Sequence, residues 1–245
     1  MRGAKLPAGR KLPLRPAPVT AAGDPVLYEQ PSSWQAANSD GQRLRWSLAQ
    51  AELSEAKLKD EAKYDWGLFL NQQFSVDTLQ QDAWLFRQRS DTGKLPEQGV
   101  SAIHTLAETE TIAKLANGIK RFSLPDEFNP IRIFQDVAKG KGQYAEAAAW
   151  QLIQISLNRR QYPQAAEQLQ SYLTRFDDSG SWKQKLLDSI LQPRLTFDSV
   201  PSQLAGQPAK LSLLFRNATQ VAFTARRVDI EKILLDTKNY YRSFK

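Results

Sequence analysis

His104 is the only histidine in this 245-residue chain, and its nearest carboxylate at helical spacing is Glu108. One imidazole with one acid four residues on makes a helix-surface ion pair, not a metal site or a nucleophilic triad, which need several convergent partners. Gly140-Lys141-Gly142 is glycine-rich and basic, but it has neither the spacing of a phosphate loop nor a preceding strand. It reads as a helix terminator. The carboxylates of "KDEAKYD" and "AETETIAK" have the spacing of solvated helix faces. Asn217-Ala218-Thr219 matches the glycosylation triplet, which matters only in a glycosylating secretory pathway. Trp46, Trp66, Trp84, Trp150 and Trp182 are dispersed and read as core or inter-helix packing. These residues point to no catalytic group, no cofactor and no metal, and so to a non-enzyme without a small-molecule substrate.

Composition narrows the class further. There is no cysteine, which excludes disulfides, thiolate metal sites and cysteine nucleophiles. The net charge of +7 is unevenly spread. Residues 1–23 carry five basic and no acidic residues, and residues 193–245 carry nine basic and four acidic. The middle, 24–192, is mildly acidic, with 19 basic and 22 acidic residues. A nucleic-acid-binding body concentrates positive charge on one face, so this distribution argues against one. No apolar run is long enough to span a bilayer. The basic N-terminus lacks the apolar core of a secretory signal.

Three segments follow. Residues 1–33 hold six of the 13 prolines and predict a flexible basic tail. Residues 34–192 are helical in pattern: Gln42–Glu52 with Asp40 as cap, then Ser54–Phe74 with an apolar stripe of Leu58, Ala62, Trp66, Phe69 and Leu70. Asp77 can cap a helix to about Gln88. Ser101–Ala116 reads as helix, "NGIKRFSLPDEFNP" as connector, and Asn129-Pro130 as a cap and first helical position. Past Pro193 the rhythm changes. "PRLTFDSV", "AKLSLLFRN" and "QVAFTARRV" read as strands, with 216–219 turning a hairpin between the last two. Asp229 then caps a final helix whose Ile233, Leu234 and Tyr241 face inward.

Within the helical part, "YAEAAAWQLIQISLNRRQYPQAAEQLQSYLTRF" is the most regular stretch. It predicts helices over 143–159 and 163–176 joined at "RRQY", in the pattern of one tetratricopeptide repeat. Leu152, Tyr162, Ala165, Leu169, Tyr172 and Leu173 occupy packing positions, and Ile153 stands where that pattern has glycine. The expected fold is mainly α: α-solenoid or tetratricopeptide-like hairpins, then a small, incomplete antiparallel β unit (193–245) with a terminal helix. Two or three strands leave an apolar face and open edges. Leu211, Leu213, Phe215, Val221 and Phe223 are the expected partner contacts. The alternative is a stand-alone tetratricopeptide-type adaptor, with Asn158, Arg159 and Gln168 directed at a peptide.

"GIKRFSLPDEFNPIRIFQDVA", "NRRQYPQAAEQ", "SWKQKLLDSIL", "LLFRNATQVAFTARRVDIEKILLDTKNYY" and the run from Asp40 to Leu79 resemble the N-terminal part of large bacterial, planctomycete-type alpha-2-macroglobulin-like proteins. The resemblance covers residues 40–243. It implies helical repeats preceding macroglobulin-type β-sandwich domains, an exported location, and a role in protease trapping or envelope defence. The partners it implies are the adjacent sandwich domains. Without cysteine, the thioester that the family uses for covalent capture has no counterpart here. A sandwich needs about seven strands, so the resemblance also implies a fragment or split gene.

Overall fold

In a computed structural model of the chain, residues 16–54, 56–79, 97–141, 143–176, 180–197, 202–204, 206–208, 210–224 and 226–243 are described. The chain divides into two units, Met1–Ile190 and Leu191–Lys245. It is mainly helical, with seven α-helices and two small antiparallel sheets among the described residues.

The first unit begins with a helical hairpin, α1 (Asp40–Ser54) and α2 (Ala56–Phe74). Ser39, rather than Asp40, caps α1: its hydroxyl accepts from the Gln42 N–H, while Asp40 pairs with Arg43. Ala62, Trp66, Leu70 and Phe74 recur at four-residue spacing, so they line one face of α2 and are buried. The Trp66 indole also donates to the Glu127 carbonyl at 3.1 Å. The helix expected from Asp77 lies, beyond Leu79, outside the described residues, and so does Trp84.

The main departure from expectation comes next. Ser101–Ala116 does not form a helix, and "GIKRFS" is not a connector. After a short 3-10 turn at Ile103–Thr105, β1 (Glu110–Leu115) pairs antiparallel with β2 (Gly118–Ser123), Ile112 opposite Arg121. Thr111, Ile112, Ala113 and Leu115 are all buried. A strand covered on both faces loses the alternation that marks a half-buried strand, and its apolar run can be read equally as helix. The two-residue loop Ala116-Asn117 is followed by Gly118 at φ 122°, a conformation that favours glycine.

Of the tail expected over 1–33, residues 1–15 lie outside the described residues, and from Pro16 on the segment is anchored at the same hairpin. Ala17 is buried, donates to Lys114 O and accepts from Ala116 N–H, forming a parallel bridge to Leu115. Leu27 and Tyr28 pack against the cluster around Trp66. Prolines at 16, 18 and 25 remove donors, yet they do not prevent the intervening residues from pairing.

α3 (Pro130–Ala138) starts as its sequence predicts: Asn129 Oδ1 accepts from the Ile131 N–H, and proline fills the first position. α3 lies close to α2 because Gly67 has no side chain; a Cβ there would come within 2.7 Å of the Phe134 ring. α4 (Gln143–Asn158) and α5 (Tyr162–Arg175) form the expected hairpin. Their turn is a Schellman motif: Gln161 N–H donates to Ser156 O and Arg160 N–H to Leu157 O. Arg160 takes the left-handed position, φ 58°. α6 (Trp182–Leu191) then packs Leu187 and Ile190 against Ile153, Ala165, Leu169 and Tyr172.

The second unit holds β3 (Arg194–Phe197), β4 (Leu213–Arg216) and α7 (Ile230–Arg242). Here two expectations are corrected. β4 pairs with β3 rather than with the run after it, which forms no strand in its described residues 220–224. Ile233, Leu234 and Tyr241 are exposed instead of inward-facing. Asp229 does cap α7, accepting from the Lys232 N–H.

Ile153 is 0 % exposed at the junction of α4, α5 and α6. Ile153→Ala is expected to cost about 3 kcal/mol in urea denaturation, and Leu53→Ala, at an exposed position on α1, close to nothing.

Candidate functional site

The antiparallel register of the second unit decides which side chains share a face. Leu195 opposes Phe215, and Phe197 opposes Leu213. Directly paired residues point to the same side of a sheet, so these four build one apolar face. Arg194, Arg216, Thr196 and Leu214 take the other. Leu195, Phe197 and Phe215 are exposed, Phe197 at 57 % and Phe215 at 56 %, and Leu213 is half-buried.

Of the five residues expected at a partner contact, Leu213 and Phe215 therefore sit together on β4. Leu211 precedes the strand and is exposed. Val221 and Phe223 lie outside regular structure, half-buried and exposed respectively, and no strand register aligns them with the first three. Leu195 and Phe197 are additions. Their alternation in "RLTF" is a strand signal, but sequence alone does not say which strand they face.

α7 carries a second apolar stripe. Ile230, Ile233, Leu234 and Tyr241 follow three- and four-residue steps and multiples of them, and all four are exposed. Basic residues lie close to the helix stripe in sequence: Arg226 and Arg227 before the helix, Lys232, Lys238 and Arg242 on it.

Of the three residues expected to meet a peptide on the helical hairpin, Arg159 and Gln168 are used internally, and Asn158 is half-buried at the end of α4. Arg159 is 5 % exposed. Its guanidinium donates to Ala107 O at 3.2 Å and Glu110 O at 2.9 Å. Burial pushes its pKa down to about 10, with Glu110 and Glu108 opposing the shift. Gln161 donates to Leu106 O at 2.7 Å. Gln168 accepts from the Ser156 hydroxyl. The α4–α5 turn is thus bolted to the loop leading into β1, a segment that the helical reading of 101–116 concealed. The signal that could have found it is "ANG", a turn between two strand-length runs.

The same loop accounts for the acids near His104. Glu110 takes a two-pronged contact from Arg121, 3.1 Å from Nε and 2.7 Å from Nη2, and this holds its carboxyl below the usual range. Glu108 lies 3.5 Å from Arg132. His104 sits half-buried in the 3-10 turn rather than on an α-helix. Among the described residues no group of three or more histidine, cysteine, aspartate or glutamate side chains is placed to hold a metal ion. No described helix is long and apolar enough to cross a membrane. Compared with known proteins, the chain matches no family model, no curated protein and no solved structure.

Arg159→Met is expected to lower stability by about 3 kcal/mol, because two part-buried carbonyls lose a charged donor. Arg159→Lys recovers only part of it, since one ammonium lacks the fork geometry. A depressed carboxyl pKa contributes stability that is full above the unfolded value of 4.5 and fades as pH falls through the folded one. Glu110→Gln should therefore lower the urea midpoint at pH 7, and the gap to the unaltered protein should close in acid.

Proposed function

We propose that this chain is a non-catalytic helical scaffold that docks, through the apolar face of its second unit, onto a protein partner. One observation carries the reading: Leu195, Phe197, Leu213 and Phe215 share a sheet face that is largely exposed, and the same unit holds an α7 stripe that is exposed along its whole length. An isolated two-stranded hairpin is marginal in water. Large contiguous apolar surface rimmed by polar groups marks interaction sites.

The partner that fits has its own apolar sheet face and an acidic rim, complementing the basic excess of residues 193–245. A macroglobulin-type β-sandwich keeps its apolar faces between its two sheets, so it meets the first requirement where a sheet edge or end leaves that face uncovered. That choice agrees with the resemblance to bacterial alpha-2-macroglobulin-like proteins, and with it a supporting role in protease trapping or envelope defence. The thioester chemistry of such proteins lies outside this chain, which has no cysteine. The adaptor reading has less support, because Arg159 and Gln168 make their contacts within the fold.

Calorimetric titration of the full chain with a purified macroglobulin-type β-sandwich domain tests the proposal. Saturable binding that is lost in both Phe215→Asp and Ile233→Asp is the expected result. No binding, or binding indifferent to both substitutions, overturns it. So does sedimentation showing that the same residues instead join two copies of this chain.

A further inference from the structure

The first unit carries a separate feature that a packing role leaves unexplained. At one end of α4, α5 and α6, three aromatic rings border a shallow, solvent-open recess of about 350 Å³. Trp150 and Trp182 meet nearly at right angles, 80°, with centroids 4.8 Å apart. Tyr172 stands 6.2 Å from Trp150, at 72°. Glu146 sits at the rim and accepts from the Tyr172 hydroxyl. Trp182 is 49 % exposed, so it is not core but packs between helices against Trp150, one of the two roles expected of the tryptophans.

A cation already occupies this space. The Lys183 ammonium lies 4.5 Å from the centroid of Tyr172 and 5.2 Å from that of Trp182. It is 4.0 Å from Glu146 Oε1. Aromatic faces attract cations electrostatically, and a carboxylate at the rim adds to that attraction. The recess is therefore built as a cation cage, and Lys183, on a flexible stem in the first turn of α6, reports what it holds.

We infer that the cage is a docking site for an exposed arginine of a protein partner, with Lys183 as the internal occupant it displaces. A guanidinium suits the site better than the ammonium in it. It is planar and stacks on indole, it is more weakly hydrated, and its fork can meet the Glu146 carboxylate with two donors. Once Lys183 swings out, Glu146 is the charged group left on the lining, and it favours a basic occupant over an acidic one. Lys183 lowers the apparent affinity by the fraction of time it holds the cage, about tenfold if it does so nine-tenths of the time. This assignment rests on residues of the first unit alone and is independent of the surface on residues 191–245.

The test uses the full chain and N-acetyl-arginine N-methylamide as probe, followed by the indole N–H resonances in NMR, each assigned by single tryptophan substitution. The Trp150 and Trp182 signals should shift saturably. Lys183→Met should tighten binding about tenfold, Glu146→Gln should weaken it, and Trp182→Ala should abolish it. The neutral norleucine analogue should move neither signal. Unmoved indoles in both the unaltered chain and Lys183→Met overturn the proposal. Equal response to the norleucine analogue overturns it, since the recess would then be merely apolar. Tighter binding of tetramethylammonium than of the arginine probe also overturns it, because the fork to Glu146 would be doing nothing.

Discussion

A buried guanidinium holds the first unit together. Arg159 lies at the C-terminal end of α4 and reaches the carbonyls of Ala107 and Glu110, about fifty residues earlier in the chain. A charge out of water is tolerated only when its hydrogen bonds are made. The helical hairpin and the β-hairpin must therefore keep a fixed spacing, or the cost of burial returns uncompensated. Gln161 repeats the contact one turn position later, and Ser156 joins α4 to α5 beneath it. The hairpin is thereby stiff on the side that meets β1 and open on the side that carries Trp150 and Trp182.

The second unit obeys no comparable constraint. Its helix has a proper N-cap and its strands a defined register, so local rules are satisfied. No residue of α7 is buried. Side chains that elsewhere in the chain would form a core stand in solvent, and the hydrophobic effect penalises that arrangement in proportion to the apolar area exposed. The contrast between the two units is the physical basis for reading the second as a surface made to be covered.

How legible this was in the sequence depended on periodicity. α2, α4, α5 and α7 each present an amphipathic pattern or a cap, and each could be placed within a few residues. The Asn129-Pro130 start of α3 was equally plain. β1 was not, because Thr111 through Ala113 is buried on both faces and offers no alternation. Misreading it hid the role of Arg159, which looked like a hydrophilic residue at a turn. The N-terminal segment failed for a different reason: prolines 16, 18 and 25 suggest disorder, while the residue that matters, Ala17, is small and carries no pattern. In the second unit the apolar residues were visible, but their pairing was not, since β3 and β4 are separated by fifteen residues and either neighbour could have been the partner.

Isoleucine at 153 has a consequence for growth of the helical stack. A glycine there would leave a groove for the next pair of helices to approach. The isoleucine fills it and meets α6, whose Leu187 and Ile190 complete the contact. Three residues after α6, at Arg194, the backbone turns to extended structure. α6 works as a cover on the α4–α5 hairpin: its Leu187 and Ile190 seal the side chain that stands where a small residue would have left a groove.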